Sequence, residues 1–259
     1  MFGIRRRLRI VVFAILFVGS VFFVCSCKKA PQDNVSVDTT ESPSVKAKAN
    51  SSAETKESSL GAVELSIELP EPAFVGTPQS LQGVENLEKP LGHARPPFYV
   101  PADTTNVAAG MSIASSDEEP VIGEIDMVND GDKEAVDGSY VELGPGLQSI
   151  TIDLGAEQNI YAILLWHYHL QVRVYFDVVV QVANDPDFIT DVATVFNNDI
   201  DNSAGLGIGT DKHYIDTHEG KLIDAKGVRG RYVRFYSNGS NVDELNHYIE
   251  VEVFGKPVK

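Results

Sequence analysis

Residues 148–155 read QSITIDLG, and this octet decides the fold class. Its alternation sets Ile150, Ile152 and Leu154 on one face and Ser149, Thr151 and Asp153 on the other, the pattern of a half-buried strand closed by a glycine turn. The same period recurs downstream. In YFDVVVQVA (175–183), Phe176, Val178, Val180 and Val182 fall together before the turn NDPDF. In RYVRFYS (231–237), Val233 and Phe235 point inward, with Tyr232, Arg234 and Tyr236 outward. HYIEVEVFG (247–255) sets Ile249, Val251 and Val253 opposite Glu250 and Glu252. IYAILLWHYHL (160–170) is instead apolar on both faces up to Leu165, then turns polar, so it reads as a strand that starts deep and emerges near His169. No amphipathic helix of three turns interrupts these segments. Short strands joined by Gly, Asn, Asp and Pro turns argue for an all-β sandwich.

Upstream, the 259-residue chain changes character three times. Arg5, Arg6, Arg7 and Arg9 precede an apolar run from Ile10 to Val24, the layout of a secretory signal. A helix over that run spans about 22 Å, short of a hydrocarbon core of about 30 Å; extended to Cys27, it could serve as an uncleaved anchor. VCSC (24–27) resembles a bacterial lipobox, with Val24 in the apolar position, Ser26 before the cleavage point and Cys27 as the lipidated residue. Cys25 departs from the small residue usual there. Residues 1–26 are thus read as a lipoprotein signal peptide. Residues 27–60, poor in large apolar side chains, are read as a disordered tether. Residues 61–105 are proline-punctuated and read as an extended arm, and residues 106–259 as the sandwich domain.

Net charge is −16, and since Arg5, Arg6, Arg7 and Arg9 supply four of the 21 basic residues and no acidic residue precedes Asp33, the chain beyond residue 27 is more acidic still. Nucleic-acid affinity comes mainly from Lys and Arg neutralising phosphates, which excludes nucleic acid as a partner. With Cys25 and Cys27 the only cysteines, the domain has no disulfide to depend on.

DGDKEAVDGSYVELGPGLQSITIDLG, YFDVVVQVANDPDF and GRYVRFYSNGSNVDELNHYIEVEVFG, in that order, resemble the landmarks of discoidin-type domains, the galactose-binding-like jelly rolls of coagulation-factor C type. The matching places are Asp130-Gly131, Asp153-Leu154-Gly155, Asn184-Asp185, Arg231-Tyr232-Val233-Arg234 and Phe254-Gly255, across residues 106 to 256. Ser149 stands where many members carry a Trp, and the stapling disulfide of animal members is absent. The resemblance implies a jelly roll whose end loops hold sugars with a His, an Arg, an Asn and an aromatic. The corresponding candidates are His169, Arg173, Tyr175, Asn246 and His247, since fork-shaped donors read hydroxyls while aromatic faces stack on sugar rings.

Plain packing is the competing reading of the histidine pair in WHYH (166–169), and no spacing supplies a third ligand for a transition metal. Around Asp130, Asp132 and Asp137, NDGDKEAVDG is either a solvated acidic turn or a calcium loop. The resemblance implies calcium, held by Asp130 and Asp132 with Glu250 of the final strand. Asp199, Asp201 and Ser203 alternate in NNDIDNSAGLGIGTD, but an EF-hand is excluded by Thr210 in the last ligand place and by the lack of the required glycine. No G-x-S-x-G or H-E-x-x-H occurs. The expected protein is a non-catalytic, lipid-anchored envelope protein that binds a glycan. The alternative is a structural envelope protein that docks onto another protein.

Overall fold

A computed structural model describes residues 61–73, 81 and 83–258. The signal peptide, Cys27 and the tether lie outside the described residues. Two long strands organise the domain, because each bends and so serves both layers. The order is β1 (Ala62–Glu64), β2 (Tyr99–Pro101), β3 (Thr105–Asn106), β4 (Ser112–Ser115), a 3-10 helix (Ile125–Asn129), β5 (Val141–Leu143), β6 (Gln148–Trp166), β7 (Val179–Ala183), β8 (Ala193–Asn197), β9 (Lys221–Ser237), β10 (Asn246–Tyr248) and β11 (Glu250–Pro257). All pairings between these strands are antiparallel. The first half of β6 pairs β4 and the last third of β9; after a register shift at Asp153/Gln158, the second half pairs β11 and the start of β9. The main sheet runs β3-β11-β6-β9-β7-β8, while β5 and β10 form a separate ribbon. The result is an all-β, mostly antiparallel sandwich of jelly-roll character.

The principal core follows the alternation of the strands. Ile150, Ile152, Leu154, Val178, Val180, Val182, Val233 and Phe235 are buried in one cluster with Ile163, Leu165, Val251 and Val253. Burial of each such side chain contributes about 1.5–3 kcal/mol.

A second cluster explains why β6 is apolar on both faces. Ala162, Leu164 and Trp166 point away from the core and pack with Ile249, Phe254 and Val100, flanked by Leu65, Ile67 and Phe98 of the arm. The arm therefore covers the outer face of the sheet. A backbone bond within the arm, Leu65 N–H to Phe98 O at 2.8 Å, joins its two ends, and Glu88 N–H to His213 O at 2.8 Å fastens it to the domain. Arg95 donates to the carbonyls of Glu219 and Gly220, each at 3.0 Å. Gly220 has φ +64, and a Cβ there would meet the Trp166 ring at 2.5 Å, so only glycine fits both the turn and the indole. The expected solvent-facing positions of Glu250 and Glu252 are corrected: both are buried, because they share the face that the arm and the 130s loop cover.

Candidate functional site

The β5–β10 ribbon places Glu142 directly opposite His247, and facing residues share one side of a ribbon. His247 Nε2 lies 2.9 Å from Glu142 Oε2, and its Nδ1 lies 3.5 Å from an Arg173 nitrogen. The neutral tautomer satisfies both neighbours, donating from Nε2 and accepting at Nδ1. Burial and the adjacent guanidinium hold this histidine below its ordinary value of 6.5, so the ring is neutral at pH 7. Arg173 donates to Asp243 Oδ2 at 2.9 Å, and its guanidinium lies 5.0 Å from the Tyr168 ring. Tyr168 meets Tyr140 edge to face at 5.1 Å, and both rings lie within 6 Å of His247. Tyr140, Glu142, Tyr168 and Asp243 are half-buried, so the cluster reaches solvent.

Among the described residues, two buried polar atoms here make no hydrogen bond of ordinary geometry, Arg173 Nε and the Tyr175 hydroxyl, and the Arg173 guanidinium neighbours that hydroxyl. Burial raises Tyr175 well above the usual phenol value. The Tyr175 ring stacks on His167 at 4.3 Å, and His167 lies 3.5 Å from both Asp216 and the Tyr214 hydroxyl. A polar seam thus runs inward from the cluster.

Of the expected binding residues, the fold brings Arg173, Tyr175 and His247 together. His169 does not reach the rim. It is only 1% exposed, and its Nε2 lies 3.0 Å from the Lys133 carbonyl. Asn246 is also corrected to an internal bracket. It accepts from Ser237 Oγ and Gly239 N, and donates to the carbonyls of Gly144 and Gly146, so its amide is fully used. Tyr140, Glu142, Tyr168 and Asp243 were not singled out in the sequence. Tyr140 and Glu142 alternate in SYVEL, a signal that acquires meaning only once β10 is known to lie opposite.

Glu250 is fully buried, and burial raises its carboxyl to about 8. One oxygen accepts from Gly131 N at 3.1 Å; the other has no partner. That orphan oxygen, with Asp130 nearby, fits a hard cation. Asp130 Oδ1 accepts from Asp132 N, and the Asp132 oxygens accept from Glu134 N and Ser139 Oγ, which leaves each carboxylate a lone pair for a cation. Among the described residues, the one group of three acidic or histidine side chains with ligand atoms within 4.8 Å of one another is elsewhere, at Asp177, Asp199 and Asp201. Asp177 and Asp199 are buried, and this trio could hold a divalent cation. The sequence pattern at Asp199 and Asp201 excluded an EF-hand and read as a rim loop; the fold adds Asp177, just before β7, which accepts from Ser203 Oγ at 2.7 Å.

A cavity of about 580 Å³ lies between arm residues 88–95 and residues 214–222, away from the aromatic cluster, with Lys89, Leu91, Ile215 and His218 in its wall. The cluster, and not this cavity, brings the buried Arg173 guanidinium against aromatic faces.

No protein-family model matches the chain, and no curated protein matches it. Among solved structures, it is similar to a family 89 glycoside hydrolase from Clostridium perfringens, with 16% identity and a TM-score of 0.43, over 59% of this chain. It spans 15% of that enzyme's length. It is similar to chitosan-binding module 1 of a Paenibacillus chitosanase/glucanase, with 20% identity and a TM-score of 0.43, over 58% of this chain and 99% of that one. A fucose-binding module from Streptococcus pneumoniae shows 18% identity and a TM-score of 0.40, over 60% of this chain and 99% of that one.

Proposed function

We propose that this chain is a non-catalytic glycan-binding protein, held at the cell envelope by a lipid on Cys27. One observation carries the binding reading: among the described residues Arg173 Nε is buried without a hydrogen bond, while its guanidinium lies 5.0 Å from the Tyr168 ring, which meets Tyr140 edge to face. Leaving buried polar groups unpaired costs about 1–3 kcal/mol each. A ligand hydroxyl meets that need while the tyrosine rings take an apolar sugar face. No carboxylate pair is arranged across an open cleft here, since Glu142 and Asp243 are already engaged by His247 and Arg173. Asp130 and Glu250 would hold a structural calcium ion whose charge offsets the buried carboxylate.

Screening the full chain on an array of neutral, amino, acidic and sulfated glycans tests the reading. We expect binding that Arg173→Ala weakens by tenfold or more, a tenfold change being about 1.4 kcal/mol. Silence across the array would overturn it and favour docking onto an envelope protein.

A further inference from the structure

We propose that the site selects glycans bearing a free amine over uronic and sulfated ones, because among the described residues the carboxylates of the cluster outnumber its single guanidinium, Arg173, which Asp243 pairs. This rests on the glycan reading above and narrows it to a ligand class. Arg173 is the only side chain in the cluster that is cationic at neutral pH, and Asp243 Oδ2 already neutralises it at 2.9 Å. The charge of Glu142 is not matched, since its partner His247 is a neutral ring shared between Glu142 and Arg173. Glu142 Oε2 faces His247, and Oε1 has no hydrogen bond among the described residues. Asp137 also bears on Tyr140 from the loop before β5. Lys133, whose carbonyl meets His169, is held 2.7 Å from Glu252.

A uronate or sulfate entering here meets two carboxylates and a guanidinium that is already paired. An ammonium meets a free carboxylate oxygen beside aromatic faces, both of which attract cations. The chain's net charge of −16 acts in the same direction at longer range. At about 4 Å, one ion pair is worth roughly 1 kcal/mol in water and more where solvent is excluded, so the amine should gain about tenfold.

Isothermal titration of the full chain in non-ionic detergent would use three oligomers of equal length: fully deacetylated glucosamine, N-acetylglucosamine and a uronic acid. The amine is expected to bind about tenfold more tightly than the acetylated form, and the uronate not at all. Glu142→Gln should bring the amine-to-acetylated affinity ratio from about ten down to about one. Asp243→Asn, which frees Arg173, should admit the uronate. Equal binding of the amine and acetylated oligomers would overturn the amine inference and leave the glycan reading standing, as would uronate binding to the unaltered chain. An amine preference that survives Glu142→Gln would assign the effect to the acidic surface and also overturn it. No binding by any of the three, with a silent array, would overturn both.

Discussion

Replacing Trp166 with alanine should remove most of the domain's stability, and it tests whether the arm is a structural layer. This is the chain's only tryptophan; it is fully buried, and its indole N–H donates to the His218 carbonyl at 2.9 Å. The Lys133 ammonium lies 5.2 Å from its ring. Truncating a buried aromatic to alanine costs about 3–5 kcal/mol, and an abandoned carbonyl adds about 1–3 kcal/mol where it stays dry. A total near 5 kcal/mol compares with about 5–15 kcal/mol for a whole domain. Trp166→Phe keeps most of the packing and should lose only about 1–2 kcal/mol. Urea unfolding followed by far-UV circular dichroism measures both, since the substitution removes the fluorophore. A double-mutant cycle with Phe98→Ala isolates the arm, and a coupling of about 0.5–3 kcal/mol is expected for side chains in one cluster. Strict additivity, or a loss below about 1 kcal/mol for Trp166→Ala, would refute the packing argument.

Chelation should lower the melting temperature, and Asp130→Ala should abolish that sensitivity; if Asp199→Asn abolishes it instead, the ion belongs to the Asp177 group. A resident ion at a hundredfold excess over its dissociation constant contributes about 2.7 kcal/mol. In chelator, stability should peak near pH 6.5. The raised Glu250 carboxyl holds a proton in the folded state that the unfolded chain releases, so stability falls as pH rises from about 4.5 through about 8. His169, His213 and His247 are lowered from 6.5, chiefly by burial, so the unfolded chain takes up protons first and stability falls as pH drops below 6.5. A monotonic profile from pH 5 to 8 would contradict this balance. Cys27→Ser should release the protein from the membrane fraction or leave an unprocessed precursor, because two or three acyl chains at about 0.8 kcal/mol per methylene hold almost permanently. Unchanged mass and retention would indicate an uncleaved helix.

The alternation in QSITIDLG and RYVRFYS was enough to place Ile150, Ile152, Val233 and Phe235 in the core, because one-sided burial writes itself directly into sequence. The double apolarity of Ile160–Trp166 was visible, but not its cause. A strand beneath two layers looks the same whether the second cover is a sheet or a strap that lies far upstream in the chain. His169 was misplaced because the polar turn at Gln171 and Arg173 marks where the backbone emerges, while the imidazole itself folds back to the Lys133 carbonyl. The Glu142–His247 pair depends on ribbon register, and Asp177 depends on the path of β7. Neither is a local property.

The arm that caps the sheet is made early and finished late. Lys256 donates to the Ala102 carbonyl across 154 positions of chain, and Asn106 accepts from Val253 across 147. A chain that emerges N-terminus first must therefore hold Leu65, Phe98 and Val100 in water until β9 and β11 appear. Topologies dominated by such distant pairings fold in roughly milliseconds to seconds. During that interval β6, apolar on both faces, is an unpaired edge. Until the final strand arrives, β6 is thus the segment of the domain most exposed to misassembly with a second copy of itself.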